Sequence, residues 1–184
     1  MAVRDIVIYP EGQEILRRKC DPVRRLNQRT KRVAQDLVDT LNAHPEGIGL
    51  AAPQIGAHSR VVVVRLGGGR DSGREPDPPL PLINPEIVEA RDEKRDFDGC
   101  LSFPGLYGET VRPHYLRVVG LNEAGRSFDR VFEGFDAVVV HHELDHLDGV
   151  LFIDRVESLE YLYQVRRDEN GNPVRVPLSP ATRL

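Results

Sequence analysis

No stretch of this chain stays apolar for long enough to cross a bilayer as a helix, which speaks against an integral helical membrane protein. Basic residues are not in excess either. The formal net charge is −4, so the electrostatic footprint of a nucleic-acid binder is missing. The first residues, Met1-Ala2-Val3-Arg4-Asp5, carry neither the apolar core nor the small-residue cleavage site of a secretory signal, and a cytoplasmic location is expected. Cysteine is scarce. The two present among 184 residues, Cys20 and Cys100, cannot build a disulfide framework. In a reducing cytosol such a thiol packs, binds metal or reacts. Internal repeats and linker-like stretches are lacking too, so one domain is expected at 1–166 with an irregular or hairpin tail at 167–184.

What is present is a core-forming pattern. Hydrophobic residues make up 40% of the chain and charged residues 29%, the balance of an ordinary globular protein with a substantial core. Apolar residues alternate around Ile6 and Ile8, which predicts an N-terminal strand before the turn at Pro10-Glu11-Gly12. Val33, Leu37 and Leu41 recur every four residues, widened by Ala34 and Val38, and predict a helix from Gln28 to Asn42 capped by Asn27 or Thr30. The segment from Gly47 to Gly56 reads as a small-residue loop. It leads into Val61-Val62-Val63-Val64, a short β-branched run expected to be a buried strand. Residues 67–81 are rich in Gly, Pro and charge and read as an exposed loop. Strands are expected at Ile83–Val88, Leu116–Leu121 and Phe128–Phe132, the last two joined by a turn at Asn122-Glu123-Ala124-Gly125. A second helix is expected from Asp136, its N-cap, to Leu147, with Gly149 as its stop. Strands clustered around two helices imply an α+β fold: a compact single domain whose antiparallel or mixed sheets pack around the second helix.

That helix carries the chemistry. His142-Glu143-Leu144-Asp145-His146 sets two imidazoles four residues apart, one above the other on a helical face, so both can reach one cation. Glu143 can then act on a water without being a ligand. Three valines before the motif and Leu147 after it bury the helix, and buried histidines and carboxylates are costly unless paired or ligated. His141 points about 100° away from His142 and is assigned to the surface or to support of the site. Asp145 reads as a surface ion-pair partner more than as an acceptor behind the ligands. Catalytic sites of this type take a third protein ligand. Cys100, within Asp98-Gly99-Cys100-Leu101-Ser102, is the favoured candidate, while Asp148, Asp154 and Glu157 stay open. Cys20, with no neighbouring motif, is read as structural.

Three segments in order, Gly47-Ile48-Gly49-Leu50-Ala51-Ala52-Pro53-Gln54, Asp98-Gly99-Cys100-Leu101-Ser102 and His142-Glu143-Leu144-Asp145-His146, resemble the signature motifs of the peptide deformylase family. The resemblance implies removal of the formyl group from N-terminal formyl-methionine of nascent polypeptides. It implies one metal ion, commonly Fe2+ with Ni2+, Co2+ or Zn2+ as alternatives, held by Cys100, His142 and His146 with water in the fourth place. Glu143 would be the proton carrier, and the Gln54 amide with the backbone N–H of Leu101 would bind the oxyanion. Gly49 and Gly99 would admit the substrate backbone, and Ile48, Phe135, Val138 and Val139 would surround the methionine side chain. Departures from the family pattern are Asp98 in place of the usual Glu, with Arg112 as its expected partner, and His141 in place of a frequent Gln. The long 67–81 loop and a proline-containing tail where many members end in a ribosome-associated helix also differ. Formyl-methionyl chains are the expected partners of a monomer, and transient ribosome contact need not use that helix. Rival readings are a zinc metallopeptidase, which would not need Cys100, a deformylase of small formamides, and a binding module that keeps the fold without activity.

Overall fold

The computed structural model describes residues 2–67 and 77–178. A short helix α1 (Gln13–Leu16) is followed by α2 (Gln28–Ala43), then strands β1 (Gly49–Ala51), β2 (Val61–Val64), β3 (Leu80–Gly99), β4 (Leu106–Leu121) and β5 (Ser127–Glu133). Helix α3 (Phe135–Leu147) precedes β6 (Leu162–Arg167) and β7 (Pro173–Pro177). All named strand pairs are antiparallel. The order is β1-β2-β3-β4-β6-β7, and β5 pairs with the C-terminal half of β4 while β6 takes its N-terminal end.

The four valines of β2 explain the layering. All are fully buried. Successive side chains of a strand point to opposite faces, so Val61 and Val63 pack with Leu37 and Leu41 of α2, while Val62 and Val64 join Leu116, Val140 and Leu147 on the α3 side. The sheet is therefore covered by α2 on one face and α3 on the other, with each buried valine worth roughly 1.5 kcal/mol or more. Helix α2 is the helix expected, and Asn27 caps it, accepting from the Thr30 N–H at 3.0 Å. The turn after β4 also forms as expected, with Asn122 Oδ1 accepting from the Ala124 and Arg126 N–H groups.

Several expectations are corrected. The N-terminal residues are not a strand of the sheet. They run alongside the site loops, with Val7 N–H donating to Gln54 O at 2.8 Å and Tyr9 N–H to Ser102 O at 2.9 Å. The expected strands at 83–88 and 116–121 are parts of a much longer ribbon in which β3 and β4 pair from Ile83↔Leu121 to Gly99↔Tyr107. The middle of β3 is exposed on both sides of the backbone and highly charged, which erases the alternation that marks a half-buried strand. Asp136 does not cap α3. Gly134 holds the N-cap position, and Asp136 Oδ1 accepts from the Gly67 N–H at 2.9 Å instead. Gly149 does end the helix at φ +75°, and a Cβ there would lie 2.2 Å from Arg17 O. Of the 67–81 loop, residues 68–76 lie outside the described residues, and the last two belong to β3. Of the 167–184 tail, the described part returns as β7 to pair with β6 in a hairpin, and residues 179–184 lie outside the described residues.

Candidate metal centre

Helix α3 is buried from Ala137 to Leu147 except at His141, although it carries three carboxylates and three histidines among its residues. That burial brings His142, Glu143 and His146 under the end of β3, where Gly99 hands the chain to Cys100. The ligating atoms of Cys100, His142 and His146 all lie within 4.8 Å of one another, and Cys100 Sγ is 3.3 Å from His146 Nε2. A tetrahedral cation with bonds of about 2.0–2.3 Å needs its donors roughly 3.3–3.8 Å apart, so shifts below about an ångström complete the shell. One thiol and two imidazoles form a donor set that divalent transition metals accept. Asp148, Asp154 and Glu157, the carboxylates left open as third ligands, are engaged elsewhere, with Arg60, Arg17 and Arg95 respectively.

The groups behind the ligands fix their direction. His142 Nδ1 donates to Asp98 Oδ1 at 2.7 Å, which leaves Nε2 for the cation. Asp98 also accepts from Thr110 Oγ1 at 2.9 Å and from Arg112 Nε at 2.8 Å. Arg112, expected as the partner of Asp98, is fully buried and reaches further: its Nη1 donates to Asp145 Oδ2 at 2.7 Å and to His141 Nδ1 at 2.7 Å. Asp145 is thus a buried acceptor that also binds Arg155, not a surface ion-pair residue. The pairing of Asp98 with His142 was not legible from spacing, although a carboxylate at the strand end preceding a ligand cysteine is a signal that could have suggested it.

Burial opposes charge on all these groups, and their neighbours decide the outcome. Burial would raise the Asp98 carboxyl, but His142 and Arg112 outweigh it and hold the group well below the usual carboxylate range. Against its own burial, His142 is raised well above an ordinary histidine by Asp98. Burial, reinforced by the charge of His142, pushes His146 well below. A cation entering this site therefore competes with the proton of His142. Burial also lifts the Glu143 carboxyl to about 7 and, with Arg112 beside it, holds His141 down to about 4.

A cleft of about 680 Å³ opens over the triad. The expected residues Ile48, Gly49, Gln54, Gly99, Cys100 and Leu101 line it. So do Phe135, Val138, Val139, His142 and Glu143. His146 is fully buried beneath. Gly49 has a use not foreseen: a Cβ there would sit 2.2 Å from Glu143 Oε1, so glycine makes room for the carboxylate. Glu143 Oε2 and His146 Nδ1 are buried without hydrogen-bond partners among the described residues. Gln54 is pinned by its carbonyl, which accepts from the Ala51 N–H at 2.8 Å, and this turns Nε2 toward Ser102 Oγ at 3.2 Å and Cys100 Sγ at 3.4 Å. Ile6, Ile8, Phe103 and Tyr107 also line the cleft and were not expected there from sequence. Cys20 packs in the core with its N–H on Leu147 O, the structural role expected.

The geometry agrees with comparisons to known proteins. The family model described as Polypeptide deformylase matches residues 3–161. A peptide deformylase of Thermomicrobium roseum is 41% identical over 169 residues, covering 92% of this chain and 94% of the relative. The crystal structure of a peptide deformylase from Legionella pneumophila superposes with a TM-score of 0.75 at 36% identity, over 86% of this chain and 88% of that one. A Met-Ala-Ser-bound class I type b peptide deformylase from Acinetobacter baumannii gives 0.76 at 30% identity, over 84% and 99%. With the three donors, the helix that presents two of them and the long relatives in agreement, this chain belongs to the peptide deformylase family, metal-dependent hydrolases that remove the N-formyl group from nascent polypeptides.

Proposed function

We propose that the substrate is formyl-methionine at the N-terminus of new chains, and that Cys100, His142 and His146 hold a single Fe2+, with Ni2+, Co2+ or Zn2+ as working alternatives. The observation that carries this is the convergence on one cleft of three donors within 4.8 Å, a Glu143 oxygen without a partner among the described residues and a Gln54 amide whose Nε2 faces Cys100. A divalent cation there supplies Lewis acidity, polarising the formyl carbonyl and acidifying water. Glu143 takes the proton of the water that attacks the formyl carbon and returns it to the methionine nitrogen as the C–N bond breaks, releasing formate and the free amine. The Gln54 Nε2 and the Leu101 N–H donate to the oxygen as it gains charge. Ile48, Phe135, Val138 and Val139 surround the methionine side chain, and the peptide backbone passes Gly49 and Gly99 as an added strand. The bound tripeptide of the Acinetobacter baumannii relative supports this substrate class.

In this reading the catalytic unit is residues 1–166 with 167–184 as an appendage. The protein works as a cytoplasmic monomer that meets formyl-methionyl chains in transient contact with the ribosome. No helix among the described residues is long and apolar enough to cross a membrane, which is compatible with that setting. The test is deformylation of formyl-Met-Ala-Ser against free formamides, with metal analysis of anaerobically purified protein before and after exposure to air. Preferred turnover of formyl-methionyl peptides, lost together with the metal in Cys100→Ala, is expected. A preference for free formamides, or full activity in Cys100→Ala, would refute the assignment.

A further inference from the structure

Helix α2 ends beside the cleft, and nothing in its own last turn closes it. That turn carries no basic residue, and the helix stops at His44 rather than at a glycine in the left-handed region. Its free carbonyls are met instead from the end of β2. Arg65, the residue after the valine run, is half-buried and sends its guanidinium across. Its Nη2 donates to Leu41 O at 3.1 Å and to Asn42 Oδ1 at 2.9 Å. Its Nη1 donates to Gly47 O at 2.8 Å and, at 3.5 Å, to His44 O. A cation is favoured at this end of a helix, and the planar fork of arginine serves two groups at once where the point charge of an ammonium does not. The Gly47 carbonyl opens the segment Gly47-Ile48-Gly49, one wall of the cleft. This segment has little room to slide. A Cβ on Gly47 would lie 2.9 Å from Leu41 Cδ1 and 3.1 Å from Leu101 Cδ1, and Ile48 O accepts from the Arg65 N–H at 2.7 Å. Arg65 thus grips the wall twice, by its backbone at Ile48 and by its side chain at Gly47.

We infer that Arg65 is a positioning residue for substrate selection: its guanidinium fixes Gly47 and so sets the wall of the methionine pocket at Ile48. The inference rests on the proposed reading, in which Ile48 borders the methionine side chain. The metal donors and Glu143 are carried by α3 and by the turn after β3, and they are braced by Asp98 and Arg112 without help from Arg65. Loss of the fork therefore leaves the metal and Glu143 in place but frees the Ile48 wall. Binding of the side chain weakens, while the step at the formyl carbon keeps its rate once substrate is bound. Arg65 closes α2 as well. Closing a helix, however, gives no reason to distinguish one substrate side chain from another, and that difference separates the two roles.

The experiment compares steady-state deformylation of formyl-Met-Ala-Ser and of the same peptide with norvaline, a shorter unbranched side chain, in place of methionine. The metal-loaded full chain is used unaltered, as Arg65→Met and as Arg65→Lys, with metal content and Tm recorded for each. In Arg65→Met, KM for formyl-Met-Ala-Ser is expected to rise roughly fivefold to twentyfold while kcat stays within about twofold. Metal content is expected to hold, and the preference for methionine over norvaline to move toward one. Arg65→Lys keeps the charge without the fork and is expected to fall between the two; should Arg65→Met not fold, its KM and preference decide the matter. A lowered Tm with KM and preference unchanged would leave Arg65 as a cap for α2 only and overturn the inference. A kcat that falls while KM holds would overturn it too. Failure of the unaltered protein to deformylate formyl-Met-Ala-Ser would overturn the substrate reading itself, a result distinct from normal turnover that is indifferent to Arg65.

Discussion

His142 Nδ1 and Asp98 Oδ1 lie 2.7 Å apart, although 44 positions separate them in the chain. This bond joins the end of β3 to α3 and aims the ligating nitrogen of His142 at the thiol that follows Gly99. Replacing Asp98 by Asn removes the charge that orients the ring and raises its basicity. Metal affinity, measured by competition with a chelator, is expected to fall about 10–100-fold. An unchanged affinity would show that the ring is held by packing alone.

Arg112 is fully buried and joins Asp98, Asp145 and His141 in one network. Arg112→Met leaves two buried carboxylates short of a partner. Loss of one member of a buried ion pair costs about 3–5 kcal/mol, and the denaturant midpoint is expected to drop accordingly. A small change would mean that Arg155 and His142 suffice.

Gly49→Ala puts a methyl group where Glu143 Oε1 now lies. The carboxylate must shift, and a displacement of about 1 Å costs on the order of 100-fold in rate. Reduced kcat with unaltered metal content is expected. Metal loss would instead point to collapse of the whole site.

The two thiols differ in reach. Burial pushes the Cys20 thiol up to about 11, while Cys100 lines the cleft. In native metal-free protein, thiol titration at pH 8 is expected to find one reactive cysteine, lost in Cys100→Ala. Denaturation then exposes the second.

Asp154 binds Arg17 and accepts from the Leu151 N–H at 2.8 Å. Partial burial would raise its carboxyl, but these partners win and hold it below the usual value. A carboxylate depressed in the folded state stabilises above its unfolded pKa of about 3.9 and loses that contribution as pH falls through the folded value. The pair is about one-third exposed on both sides, so solvent limits the effect to about 1 kcal/mol or less. Asp154→Asn is expected to lower Tm slightly at pH 7, with the gap to the unaltered protein narrowing below pH 4. A gap that widens in acid would contradict the ion pair.

Legibility from sequence followed physical periodicity. Val33, Leu37 and Leu41 marked α2, and the valine run marked β2, because each repeats at the period of its element. The β3–β4 ribbon was seen only at the one end where 83–88 faces 116–121, since Arg91–Arg95 face solvent and carry no apolar alternation. The metal ligands were readable because two stand at helical spacing and the third lies in a family motif. Asp145 was misread as surface and the Asp98–His142 bond was missed, because both depend on how β3 and β4 cross α3, which no local pattern encodes. The Tyr107–Tyr163 contact was hidden because it depends on the pairing of β4 with β6, which no local pattern encodes either.

X-ray absorption of the zinc-reconstituted protein tests the centre itself. The account predicts one sulfur at about 2.3 Å and two imidazole nitrogens at about 2.0–2.1 Å, with the sulfur absent in Cys100→Ala. A shell without sulfur, or one indifferent to Cys100, would contradict it.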